Sequence, residues 1–271
     1  MMVRMNITTT RPTLKINILR VLTLLLIAVT LYTLNSFKQA GTTYDEVSSI
    51  IAKQSQIAGV AEIHGKTLTI PTYDLFKTGH IWSLVSKKHP LKGEAGFTLV
   101  SIPVAHGDSD KSMKVAQDIA VPLQSMINTA KADGEELMVS SAYRSLVDQK
   151  KTYDDYVTRL GVTAANQYVS PVGASEHHTG LAVDMSSVSD LCGADSDSCS
   201  LGESGAAWLA KNAATFGFIQ RYPQGDQAIT GVYYEPWHYR YVGTIMAKFM
   251  QDSGLTYDQV IDEIAPGYAK N

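Results

Sequence analysis

Asp184 lies in the middle of an apolar run, LAVDMS, where an aspartate needs a partner. Asp disfavours strands, and its charge resists burial unless paired. His177 lies just upstream, across Thr179 and Gly180, so a turn at the glycine would bring imidazole and carboxylate together. Such a pair suits zinc, which takes nitrogen and oxygen ligands at about 2.0–2.2 Å and accepts three from protein at a catalytic site. The stretch EPWH offers a third ligand in His238, with Glu235 three residues before it and Pro236 between. On a straight strand Glu235 and His238 would point to opposite faces, so a bend or bulge near Pro236 is required. With His177, Asp184 and His238 on the ion, Glu235 reaches the open position, where a zinc-bound water awaits a base. It would take the water's proton during attack and pass it to the leaving amine. That is the logic of a zinc peptidase.

The elements that must hold these residues follow from periodicity. Alternation puts Ala182, Asp184 and Ser186 on one face of a strand and Leu181, Val183 and Met185 on the other. ELMVSSAYR (136–144) alternates as a second strand, and FTLVSIPV (97–104) reads as a strand or extended arm. Apolar residues at Val115, Ile119, Leu123, Met126, Ile127 and Ala130 form a helical stripe ended by Gly134; Pro122 inside it is expected to bend the helix or end its first half. SLVDQKKTYDDYVTRLG reads as a helix closed by Gly161, and SGAAWLAKNAATFGF (204–218) as one stopping near Gly217. VYYEPWHYRYVG (232–243) reads as an aromatic-rich strand pair or bent strand. Two short helices finish the chain, from about Thr244 to Asp252 and from Tyr257 to Ile264. Strands separated by helices of unequal length, without a Gly-rich nucleotide loop, predict an α+β domain.

The sequence also resembles a known family. SEHHTGLAVD (175–184) matches an SxHxxGxAxD signature and YEPWHYRYVG (234–243) an ExxH signature, both found in VanY-type D-alanyl-D-alanine carboxypeptidases and the related L,D-carboxypeptidases of bacterial cell walls. SAYRS followed by Gln149, WLAKNAATFGFIQRYP and the TG before VYYEPWH fit the same pattern, so the likeness spans about residues 81–250. It implies a small antiparallel sheet flanked by helices, shared with the Hedgehog amino-terminal domain. It also implies zinc ligands His177, Asp184 and His238, with Glu235 as catalytic base. Arg144 falls where the family places an arginine that steadies the developing oxyanion, a task suited to a fixed cationic donor. Gln149 and Ser175 match positions lining the substrate pocket. His178 departs from the glutamine often found beside the first ligand, while the motif register favours His177 as that ligand.

The resemblance implies removal of the last D-alanine from peptidoglycan stem peptides. Two alternatives stay open: L,D-carboxypeptidase action on tetrapeptide stems, and a non-catalytic wall-binding module on the same fold. Glu235 argues against the second, because a binding module needs ligands but no base.

The rest of the chain bounds where this would happen. Its 45% hydrophobic content is ordinary for a chain that buries a core, and its charged fraction, 18%, is low. The shortfall is near the amino terminus, where VLTLLLIAVTLYTLNSF (21–37) follows a basic leader (1–20). We read 21–37 as a signal anchor, since no run of small residues marks a cleavage site; a cleaved signal peptide is the alternative. The basic leader would stay in the cytoplasm and the catalytic domain would lie outside. Of the 23 basic residues, Arg4, Arg11, Lys15 and Arg20 sit in the leader, which holds no acid; the remainder has 19 basic against 26 acidic side chains, a formal charge of −7. An acidic body lacks the field that attracts phosphates, which argues against a nucleic-acid partner. Residues 38–80 read as a stalk with little structure of its own, and 81–271 as the catalytic domain. Cys192 and Cys199 bracket the polar loop CGADSDSC, and in an exported protein they are expected to form a local disulfide worth about 2.5 kcal/mol.

Overall fold

The computed structural model describes residues 57–71, 79–93, 95–102, 113–187 and 201–265. The leader, the expected anchor at 21–37 and the expected Cys192–Cys199 disulfide lie outside the described residues. Among the described residues no helix is long and apolar enough to cross a membrane.

Eight strands and seven α-helices can be followed through these residues. The strands are β1 (Ile57–Ile63), β2 (Lys66–Pro71), β3 (Leu99–Ile102), β4 (Met113–Ala116), β5 (Leu137–Ser141), β6 (Ala182–Ser187), β7 (Phe218–Gln220) and β8 (His238–Tyr241). The helices are α1 (Gln117–Ala132), α2 (Leu146–Leu160), α3 (Val162–Tyr168), α4 (Glu203–Asn212), α5 (Gln227–Thr230), α6 (Gly243–Ser253) and α7 (Tyr257–Ile264). The central sheet has the order β5-β6-β8-β7, antiparallel throughout. Flanking helices complete the α+β architecture expected from the sequence.

Strand alternation sorts this sheet into two faces. Leu137, Val139, Val183, Met185, Tyr239 and Tyr241 are buried in one cluster with Ile119, Leu123, Met126 and Ala130 of α1. Asp184, His238 and Arg240 alternate with them and occupy the other face. The stripe on α1 explains why Pro122 does not end the helix, which runs unbroken from Gln117 to Ala132. Interior proline costs about 3 kcal/mol. Burying Ile119 before it and Leu123 and Met126 after it returns about 1.5–3 kcal/mol for each side chain, which outweighs that cost. Val115, read from the sequence as the first residue of this stripe, belongs to β4 instead.

The stalk reading fails for part of its span. Residues 57–71 form an antiparallel hairpin whose turn, His64–Gly65, has φ of 51° and 75°. Positive φ at both central residues is the geometry whose twist matches a two-residue hairpin. The hairpin buries Ile63 and Leu68 in a second cluster with Val242, Met246, Tyr257, Val260 and Ile261. Those contacts make it part of the domain. The aromatic stretch 232–243 is also less regular than expected: only His238–Tyr241 is strand.

Candidate active site

Local structure brings the sequence-predicted residues together from three directions. Glu176–Thr179 is a single 3-10 turn ended by Gly180 in the left-handed conformation, φ 68°. A Cβ on Gly180 would lie 2.7 Å from the Ala116 backbone nitrogen and 2.8 Å from a Leu99 methyl, so both the conformation and the space demand glycine. The turn aims His177 back toward β6, which carries Asp184. Asp184 pairs directly with His238 across β6 and β8, so the two side chains share a face. The bend demanded near Pro236 is a β-turn: the His238 N–H donates to the Glu235 carbonyl, with Pro236 at the position where its fixed φ suits the turn. This turn sets Glu235 beside His238, Oε2 to Nδ1 3.7 Å.

The facing atoms converge tightly. His177 Nε2 is 3.3 Å from Asp184 Oδ2, and His238 Nδ1 is 3.1 Å from Asp184 Oδ1. One ligand atom from each of the three residues lies within 4.8 Å of the others. The outward nitrogens are engaged elsewhere. His177 Nδ1 donates to the Ala142 carbonyl at 2.7 Å, and His238 Nε2 donates to Glu176 Oε2 at 3.3 Å. Each imidazole therefore presents one fixed nitrogen inward, alongside both Asp184 oxygens. Two imidazoles and a carboxylate crowded on one point suit a catalytic zinc ion with a coordination position to spare.

The adjacent histidines have separate tasks. His178 Nε2 accepts the Gly173 N–H at 3.1 Å, so its Nδ1–H donates to the Arg144 carbonyl at 2.8 Å. Its ring thus clamps backbone, and His177 alone of the pair joins the cluster. Arg144 sits immediately before α2, whose first turn is capped by Ser145 accepting from the Asp148 N–H. Its guanidinium donates to Ser141 Oγ at 3.0 Å and to Gln149 Oε1 at 3.1 Å. Gln149 is buried, and its amide nitrogen also donates to the Ser170 carbonyl at 2.6 Å. Its amide oxygen and nitrogen each hold a protein partner, so it braces Arg144. Ser175 is buried at the start of the 3-10 turn.

Burial and charge push the ionisable groups apart. Burial drives the Glu235 carboxyl up to about 7, helped by Asp184 and Glu176 and opposed by His238 and Arg144. Burial disfavours ionised Asp184, but His177 and His238 outweigh it and hold the group well below the usual carboxylate range. Burial also lowers the His177 pKa. For His238 the hydrogen bonds to Asp184 and Glu176 overcome burial and raise it to about 10. An ionised carboxylate therefore lies among nitrogen donors beside a carboxyl poised near neutrality, a set able to hold a cation and to move a proton.

Sequence reasoning overlooked the layer behind His238. Glu176 is fully buried between Arg221 Nε and Arg240 Nη1, each 3.0 Å from its Oε1. Arg221 continues to Asp258 at 2.6 Å, and Arg240 donates to the carbonyls of Ile81 and Ser83. One signal was available: Arg240 alternates with His238 in HYRY, which puts an arginine on the site's face of a strand otherwise made of aromatics.

Comparison with known proteins places the chain among cell-wall carboxypeptidases by similarity. The profile of the VanY family, described as D-alanyl-D-alanine carboxypeptidase, matches residues 112–244. YodJ of Bacillus subtilis is 37% identical over 188 residues, covering 68% of each chain. A D-alanyl-D-alanine carboxypeptidase of Enterococcus faecalis is 32% identical over 192 residues, covering 67% of this chain and 66% of that one. Among solved structures, a vancomycin-resistance D,D-pentapeptidase, VanY, in complex with Zn(II) is 32% identical with a TM-score of 0.55, covering 66% of this chain and 97% of the other. The LD-carboxypeptidase LdcB is 32% identical with a TM-score of 0.60, covering 76% and 94%.

Proposed function

This chain belongs to the VanY family of D-alanyl-D-alanine carboxypeptidases, and from that membership we propose that it hydrolyses the terminal D-alanine of peptidoglycan stem peptides. It is a metallocarboxypeptidase whose cofactor is zinc. His177, Asp184 and His238 are the residues proposed to hold the ion. When bound, zinc lowers the pKa of a coordinated water toward 7 and polarises the carbonyl to be cut. Glu235, 3.7 Å from His238 Nδ1, is placed to take the proton released in the attack and return it to the departing amine. Arg144, held by Ser141 and Gln149, offers its guanidinium to the oxygen that becomes negative.

The observation that carries this reading is the convergence of the three ligand atoms within 4.8 Å with Glu235 3.7 Å from one of them. A binding module needs the first feature but not the second. A second reading, L,D-carboxypeptidase action on tetrapeptide stems, draws support from the likeness to LdcB, which covers more of this chain than the likeness to VanY does. Mass spectrometry of pentapeptide and tetrapeptide stems incubated with the protein, with and without a chelator, tests both. Loss of one D-alanine from the pentapeptide, abolished by the chelator, is the expected result. Cleavage of the tetrapeptide alone selects the second reading, and cleavage of neither sinks both.

We further propose that the apolar stretch 21–37 anchors the protein in the membrane with residues 81–271 outside; the basic leader ahead of it supports that orientation. A reporter fused after residue 41 should be accessible only from outside the cell, and accessibility only from inside would reverse the topology.

A further inference from the structure

A metal ligand is only as well placed as the group that holds its far side. His238 has one ring nitrogen toward Asp184 and the other on Glu176 Oε2 at 3.3 Å. Glu176 is itself immobilised: its second oxygen receives Arg221 Nε and Arg240 Nη1, both at 3.0 Å, and all three side chains are fully buried. The two arginines are anchored in turn. Arg221 pairs with Asp258 in the first turn of α7, and Arg240 donates to the Ile81 and Ser83 carbonyls. The Glu176 carboxylate therefore cannot swing away without leaving Arg221 Nε and Arg240 Nη1 buried and without their carboxylate oxygen.

We propose that Glu176 is a positioning residue for the metal centre, holding the His238 ring by its outer nitrogen so that the inner one points at the ion. Carboxylate partners of this kind fix the ring orientation and tautomer of a ligating histidine and raise its basicity. Glu176 sits one residue before His177, so a single 3-10 turn delivers one proposed ligand and the support of another. Arg221, just after β7, and Arg240, on β8, hold that support in place. The inference rests on the reading of His177, Asp184 and His238 as ligands.

The test compares Glu176→Gln with Asp258→Asn in the full chain. Zinc dissociation constants come from chelator competition, ligand-field spectra from the cobalt-substituted protein, and Tm from the metal-free protein. Both substitutions remove one negative partner of buried Arg221, so both should lower the metal-free Tm. Only Glu176→Gln alters the partner of His238. It should weaken zinc binding about 10–100-fold and shift the cobalt spectrum, while Asp258→Asn stays within about twofold of the parent in affinity. Equal affinities in Glu176→Gln and the parent overturn the inference, as does a loss in Asp258→Asn as large as that in Glu176→Gln. Should Glu176→Gln fail to fold, Glu176→Asp keeps the charge but withdraws it by one methylene. Weakened zinc binding then supports positioning, and unchanged binding overturns it. Failure of the parent protein itself to bind zinc would count against the ligand assignment rather than against Glu176.

Discussion

In a Glu235→Gln variant, the carboxyl that burial drives from its ordinary 4.5 to about 7 is replaced by a neutral amide of nearly the same shape. The displacement corresponds to about 3 kcal/mol at 1.36 kcal/mol per pKa unit, and the side chain is only 14% exposed, so solvent screens little of it. The sign follows from proton binding. Below pH 4.5 the group is protonated in folded and unfolded chains alike and costs nothing. Between 4.5 and about 7 only the unfolded chain ionises, so the folded state loses stability as pH rises. Above about 7 both are ionised and the full cost is present. In the metal-free protein, Glu235→Gln should therefore be more stable than the parent by about 3 kcal/mol at pH 8 and nearly indistinguishable from it at pH 4. Urea unfolding in excess chelator at the two pH values measures the difference. With zinc restored, the same variant should lose about 10²–10⁴-fold in kcat while still binding the metal, the span that a positioned general base contributes. A stability difference independent of pH would refute the electrostatic reasoning. Turnover within tenfold of the parent would refute the role of Glu235 as the base.

Three further outcomes follow from the geometry. Arg144→Ala should lower kcat by about 10²–10³ with little change in zinc affinity, measured by steady-state kinetics beside chelator competition, because the guanidinium acts on the developing charge and not on the metal. Gly180→Ala should destabilise by about 2–5 kcal/mol in urea melts, combining a left-handed alanine with a Cβ driven against Ala116. Leu68→Ala should cost about 2–5 kcal/mol in the same assay, whereas a residue in an unstructured stalk would cost nothing measurable.

The chemistry was legible in the sequence because it violated local rules. Asp184 in an apolar strand and a proline inside ExxH are expensive unless something repays them, and the structure supplies the repayment as a paired strand and a tight turn. The supporting layer was less visible. Glu176 stands in a polar tetrapeptide where a carboxylate is unremarkable, and nothing local indicates that Arg221 and Arg240 converge on it from distant parts of the chain. Gln149 looks like a solvated residue of an amphipathic helix; its burial arises from Arg144 and Ser170, which sequence spacing does not bring near it. The helix continues past Pro122 because the sheet beneath α1 outweighs the intrinsic propensity that would end it there. The hairpin at 57–71 escaped because its turn is His-Gly rather than Asn-Gly or Asp-Gly, and its partners, α6 and α7, lie at the far end of the chain.

The order β5-β6-β8-β7 has a consequence for how the chain matures. The strand latest in sequence is not at the rim of the sheet but inside it, between β6 and β7. A chain cut or stalled before residue 238 therefore does not yield a smaller sheet. It leaves two separate, unpaired strand borders, each a template for association with a neighbour. Such pairings between distant stretches also form slowly. The segment that closes the gap is the one that delivers His238, so the sheet cannot close without bringing in the last of the three proposed ligands.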